Sequence, residues 1–258
     1  MQSPGRWIDR RGIRELGLVG AVLLVYYLIR GFVADDFPEA RAHALAIVEF
    51  ERNLHIFREP QLQHLLSTGL LQIQLWNGVY FWAHAPVIAL VGVWLYLRHR
   101  SSYSLIRNSF LFSALAGLLI YWLLPVAPPR LLPAFGFVDT MQRYSSVSYQ
   151  AQSLKPFVNP YAAVPSLHFG WSVLIGVGVV RALQHPLGWA LGALLPLLML
   201  IAIIATANHF VFDAVVGLVV CLAALGLATA LHRWQTARAP VRPALHAAKR
   251  DAREPAPV

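Results

Sequence analysis

Two ionisable residues stand one helical turn apart in "ATANHFVFDAVVG" (residues 205–217), a stretch apolar enough for a lipid interior: His209 and Asp213. Side chains at i and i+4 share a helix face, so the carboxylate can hold one imidazole nitrogen and fix the tautomer. The other nitrogen is then a better base or nucleophile. A second histidine, His168, lies in "AAVPSLHFG" (162–170), where Pro165 and Ser166 look like a helix start. The first turn of such a helix offers backbone N–H groups and the positive end of the helix dipole, which favour a phosphate. Arg130, within "PVAPPRLLPAFGFVDT", adds a planar guanidinium suited to a bidentate grip on phosphate oxygens.

Other uses of the same residues must be weighed. A His–Asp pair in a membrane segment can serve only to lower its own burial cost, and two His with one carboxylate can form a metal-binding face. A second histidine beside a phosphate-suited helix start on the same side favours chemistry over mere pairing. No further acidic residue is placed to complete a hydrolytic zinc site, so neither a metal nor another cofactor is expected.

The elements that must hold these residues follow from composition. Of 258 residues 57% are hydrophobic and 13% charged, with a mean hydropathy of +0.55, the profile of a multi-pass membrane protein rather than a soluble domain. Apolar runs long enough to cross a bilayer begin near Leu16, Val79, Asn108, Val164, Leu187 and Phe210. The expectation is an all-α, six-span bundle: a basic N-terminus over 1–15, the membrane domain over 16–231, and a tail over 232–258. That tail is rich in Ala, Arg and Pro without periodicity, which predicts disorder. The first run has no pair of small residues at a cleavage spacing and reads as an uncleaved anchor. Cys221 is the single cysteine, so no intrachain disulfide forms.

Charge sets the orientation. With both termini cytoplasmic, 14 of the 21 Lys and Arg fall inside and only 4 of the 12 Asp and Glu, as expected where cytoplasmic loops accumulate basic residues. The excess of positive charge is then a topology signal, and no nucleic-acid partner is expected. In this arrangement Arg130, His168, His209 and Asp213 all reach the extracytoplasmic face of a cell membrane, where a membrane lipid is the natural substrate. "EARAHALAIVEFERNLHIF" (39–57) predicts a helix lying in the outer interface. Tyr80, Trp82 and His84 fall near the outer end of the second span, as an aromatic belt would. The long connection 125–163 is too broken by Pro for regular helix. Its Phe135, Phe137, Tyr144, Tyr149, Phe157 and Tyr161 read first as interface anchors. Oligomeric state is not legible.

"PSLH", followed some forty residues later by His, three residues and Asp, resembles the second and third signature motifs of the type 2 phosphatidic acid phosphatase superfamily. The resemblance implies a six-span fold and a metal-independent lipid phosphatase or phosphotransferase. It also implies roles: His209 as the nucleophile that takes up the phosphoryl group, Asp213 as its orienting partner, and His168 as the general acid. Ser166 and Arg130 would bind phosphate. Two cations of the superfamily pattern are replaced: Leu123 stands where the first motif has Lys, and Ala202 and Ile203 stand where the third has Ser-Arg. Arg130 is left as the main phosphate ligand, with Arg143 and Lys155 in reserve. Together with "APPR", "AVPSLHFGWS", "NHFVFDAVVG", "AIVEFERNLHIFREPQLQ" and "YFWAHAPV", this departure is similar to the branch containing fungal inositol phosphorylceramide synthase, over about residues 40 to 220. That branch implies transfer of a phosphoinositol group between lipids. The missing cations also leave room for a member that binds or transports lipid phosphate without turnover.

Overall fold

The computed structural model describes residues 10–31, 36–144 and 159–238. Among these the chain is helical, with no strand beyond an isolated bridge between Val126 and Ala162. Ten α-helices follow in order: α1 (Arg10–Gly31), α2 (Phe37–Asn53), α3 (Glu59–Leu66), α4 (Leu70–Trp82), α5 (Ala85–Arg98), α6 (Arg100–Leu123), α7 (Thr140–Tyr144), α8 (Leu167–Leu183), α9 (Pro186–Ala205) and α10 (Val211–Ala237).

Three of them, α6, α9 and α10, are long and apolar enough to cross a membrane, and α4 with α5 makes a fourth span bent by 43°. This is the signature of a membrane protein. The six-span expectation is met only this far: α8 is apolar but has 17 residues, and the 22 residues of α1 include Arg10, Arg11, Arg14, Glu15 and Arg30. The second apolar run was expected to begin near Val79. Its helix starts nine residues earlier, at Leu70, and breaks between Trp82 and Ala85. Pro86 stands in the first turn of α5, where its missing N–H is harmless, whereas it could not continue α4.

Close backbone contacts join the long helices. A Cβ added to Gly192 of α9 would stand 2.8 Å from the carbonyl oxygen of Gly176 in α8. One added to Gly170 of α8 would meet Cys221 Sγ at 2.5 Å and the Gly217 carbonyl oxygen of α10 at 2.7 Å. Gly217 itself passes the start of α8 so closely that a Cβ there would lie 2.9 Å from the carbonyl carbon of Ser166. Cys221 is a buried free thiol in this contact.

The 39–57 segment forms α2, a helix with one buried and one exposed face. Ala40, Ala44, Ile47 and Val48 are buried with Val126, Ala127, Leu132, Phe137, Val164 and Phe210. The connection after α6 is irregular, as its prolines require, with short 3-10 turns at Pro129–Leu131 and Pro133–Phe135. Gly136 closes the second turn at φ 89°, a conformation glycine adopts without cost. The Ala127 N–H donates to the Ala40 carbonyl at 3.0 Å and ties the connection to α2. Phe137 and Tyr161 are buried in this cluster rather than displayed to an interface. Tyr149, Lys155 and Phe157 lie outside the described residues, as does the tail from 239 onward. α10 continues to Ala237, past the expected boundary at 231.

Candidate active site

The turn between α9 and α10 carries His209. α9 ends through Ala207 at φ 51°, a left-handed conformation that is strained for a residue with a Cβ. The turn is tied back on itself. Thr206 Oγ1 donates to the Ala202 carbonyl at 2.7 Å, Asn208 Nδ2 donates to Thr206 Oγ1 at 2.8 Å, and the Asn208 N–H donates to the Ile203 carbonyl at 3.0 Å. Imidazole geometry follows from two acceptors. His209 Nδ1 lies 2.8 Å from the Ala163 carbonyl oxygen and 3.3 Å from Asp213 Oδ2. A carbonyl oxygen only accepts, so Nδ1 carries a proton, and in the neutral ring the lone pair is on Nε2. The sequence suggested Asp213 as the group that fixes the tautomer. In the fold that task is shared, and the shorter contact is to a main-chain carbonyl.

Asp213 is fully buried. Its Oδ2 also accepts from the Phe210 N–H at 2.9 Å, closing the first turn of α10 onto its own third residue. Its main-chain carbonyl accepts from the Ser166 N–H at 2.9 Å. This bond, with the close passage of Gly217, couples the α8 start to the α10 start. Ser166 is itself buried and caps α8, its hydroxyl 3.5 Å from the Phe169 N–H. The preceding Pro165 carbonyl is held by the Tyr121 hydroxyl at 2.7 Å.

His168 occupies the first turn of α8, half-buried, with its ring centroid 5.7 Å from that of His209. It is walled by rings from the bent span: Tyr80 stacks on it at 4.4 Å and His84 lies tilted against it at 4.1 Å. His84 in turn stacks on Trp171 at 5.6 Å, and Trp171 Nε1 donates to Ser113 Oγ at 3.0 Å. The break between α4 and α5 thus puts Tyr80 and His84 beside His168 instead of in a surface belt.

Arg130 is held at the same turn as His209. Its Nη1 donates to Asn208 Oδ1 at 2.6 Å, its Nε lies 3.4 Å from Asp139 Oδ2, and its main-chain N–H donates to the Ala207 carbonyl at 2.8 Å. Asn208 and Asp139 are therefore members of the site that sequence reasoning missed. Asn208 could have been found, being adjacent to His209 in an otherwise apolar run. Arg143 is exposed, its guanidinium 5.4 Å from the Tyr144 ring.

The second omission is larger. The Phe212 N–H donates to Glu51 Oε1 at 2.9 Å, and the Val211 N–H donates to Glu59 Oε1 at 3.0 Å. Glu59 Oε2 accepts from the Arg58 N–H at 2.9 Å. Both glutamates are buried. Burial, and then the neighbouring Glu59, push the Glu51 carboxyl up to about 9. Every N–H from Phe210 to Phe212 thus meets a carboxyl group.

The arrangement is two tilted imidazoles with centroids 5.7 Å apart, one of them held through Nδ1, and an arginine bound to Asn208 next to it in the chain. Among the described residues, His, Cys, Asp and Glu form no group of three or more placed to hold a metal ion. A family model described as the PAP2 superfamily matches residues 45–227. The chain belongs to that superfamily. No curated protein and no solved structure matches it.

Proposed function

We propose, taking membership of that superfamily as the premise, that the protein transfers a phosphoryl or phosphodiester group from a lipid phosphate through a phosphohistidine at the extracytoplasmic membrane face, within a six-span domain. The observation that carries this is the His209 ring, held through Nδ1 by the Ala163 carbonyl and Asp213, with His168 across from it at 5.7 Å between centroids. His209 Nε2 attacks phosphorus and the bond to the lipid oxygen breaks. His168 gives that oxygen its proton, and Arg130 with the first-turn N–H groups of α8 stabilises the equatorial oxygens. An acceptor hydroxyl, deprotonated by His168, then takes the phosphoryl group and regenerates His209.

Water as acceptor makes the enzyme a phosphatase, and a lipid hydroxyl makes it a transferase. The first is the reading we adopt. The second, phosphoinositol transfer in the manner of inositol phosphorylceramide synthase, is favoured by the replacement of the Lys and Ser-Arg positions by Leu123, Ala202 and Ile203, since a phosphodiester carries less negative charge than a monoester.

The test is phosphate release from phosphatidic acid, diacylglycerol pyrophosphate and undecaprenyl pyrophosphate in detergent, with chelator present, for the parent and His209→Ala. Release by the parent alone supports a metal-independent phosphatase acting through His209. No release from either, but label transfer from phosphatidylinositol to a lipid alcohol, supports the transferase. Lipid-phosphate binding with turnover in neither assay would refute an enzymatic role.

A further inference from the structure

The two buried glutamates are not part of the chemistry above, yet each spends a carboxyl oxygen on the helix that begins next to His209. We propose that Glu51 and Glu59 are positioning residues for His209, holding the Phe212 and Val211 N–H groups from α2 and α3 and so fixing where the α9–α10 turn presents its imidazole. The proposal rests on the reading of His209 as nucleophile. Only Phe210 separates the histidine from the capped turn, and that turn also contains Asp213, whose Oδ2 is 3.3 Å from His209 Nδ1. A displacement of Phe212 therefore moves both the ring and the carboxylate beside it.

The geometry asks for one of the two glutamates to be neutral. Glu51 Oε1 accepts from Phe212, while Oε2 is buried and has no hydrogen-bond partner. Glu59 uses both oxygens as acceptors, from Val211 and Arg58. A proton on Glu51 Oε2 leaves every one of these bonds in place and removes the repulsion between two adjacent carboxylates. The titratable neighbours acting on Glu51 from the elements around it are Glu59 of α3 and Asp213 of α10, both acidic. Ionisation of Glu51 thus adds a negative charge to a buried pair of carboxylates against the first turn of α10, which is the perturbation most able to shift that turn.

The experiment compares parent, Glu51→Gln and Glu51→Ala on two readouts: the pH profile of kcat with the lipid phosphate that is turned over, and the imidazole nitrogen NMR signal of His209 in 15N-histidine-labelled protein, assigned by its loss in His209→Ala. Glu51→Gln keeps a neutral acceptor for Phe212, so its kcat at pH 7 is expected to stay within about two-fold of the parent; the parent is expected to lose kcat above about pH 9, and Glu51→Gln is expected to lack that fall. Glu51→Ala is expected to lower kcat by roughly ten- to a hundred-fold, the scale of a sub-ångström to 1 Å misplacement, and to shift the His209 signal. The proposal is overturned if Glu51→Gln and parent share one alkaline limb, or if Glu51→Ala keeps the parent kcat and signal. Should Glu51→Ala fail to fold, the Gln variant alone decides. The NMR signal does not depend on turnover, so it tests the positioning role even where the phosphoryl-transfer reading fails.

Discussion

Gly217 offers the sharpest test of whether the spacing between α8 and α10 sets the rate. A Cβ placed there would stand 2.9 Å from the carbonyl carbon and 3.1 Å from the nitrogen of Ser166, whereas carbon atoms rest at about 3.5–4.0 Å. Both contacts are backbone, so no side chain can swing aside. The Ser166 carbonyl oxygen would be closer still, so the helices must part by roughly 1 Å to reach ordinary contact. His168 is two residues from Ser166 and Asp213 four from Gly217, so the opening is passed to the gap between the imidazoles. A misplacement of about 1 Å costs on the order of a hundred-fold in rate, while overpacking of this size costs about 1–3 kcal/mol in stability. Gly217→Ala is therefore expected to lose about two orders of magnitude in kcat while remaining folded. Gly226→Ala, on the same helix with nothing within 4 Å of the added carbon, is expected to behave as the parent. The assay is phosphate release under saturating substrate beside thermal unfolding in detergent. A Gly217→Ala kcat within two-fold of the parent would refute the reasoning, because it would show that the two helix starts can part without consequence.

Four further outcomes follow from the geometry. If His168 protonates the leaving oxygen, His168→Ala should lower turnover of a lipid phosphate by about 10²–10⁴-fold but that of a p-nitrophenyl ester much less, since that leaving group needs no proton; equal losses on both would exclude the role. Arg130→Lys keeps the charge but loses the fork held by Asn208 and Asp139, and is expected to raise KM by roughly ten-fold or more, read from initial rates. Tyr121→Phe strips the Pro165 carbonyl of its buried partner and should cost about 1–3 kcal/mol, seen as a lower unfolding temperature. Glu51 is raised from 4.5 to about 9 in the folded chain, so its stabilising contribution is full at low pH and is lost as pH climbs from about 4.5 through 9. The slope is about 1.4 kcal/mol per pH unit at most, and Glu51→Gln should flatten the decline of unfolding temperature over that range.

The helices were legible where apolar runs are uninterrupted, as in α9 and α10. α4 was cut short in the reading because Gln72, Gln74 and Asn77 dilute its hydropathy. Asn77 is in fact buried, its amide donating to the Thr140 carbonyl and accepting from the Thr140 hydroxyl, a pairing that no local pattern announces. His168, His209, Asp213 and Arg130 stood out because ionisable groups are conspicuous among apolar neighbours, and the fold brings them together. Glu51 and Glu59 did not, since they sit among Arg52, Arg58 and other charged residues. Their partners are main-chain N–H groups more than 150 positions along the chain. Backbone donors carry no side-chain signature, so only the fold reveals such a cap. For the same reason the Ala163 carbonyl on His209 could not be anticipated.

The capping of α10 by α2 and α3 has a bearing on how the protein is made. Glu51 and Glu59 leave the ribosome early, whereas the turn they hold opens α10, the last helix among the described residues, with His209 two positions before it. Until that helix is inserted the two carboxyl groups lack the Val211 and Phe212 N–H groups, the Ala163 carbonyl has no imidazole to orient, and Arg130 lacks Asn208. On the proposed mechanism a nascent chain would therefore be inert towards the lipids around it, with reactivity beginning only when α10 docks. Biogenesis itself acts as the safety catch, and a truncation after α9 should yield a stably inserted but silent protein.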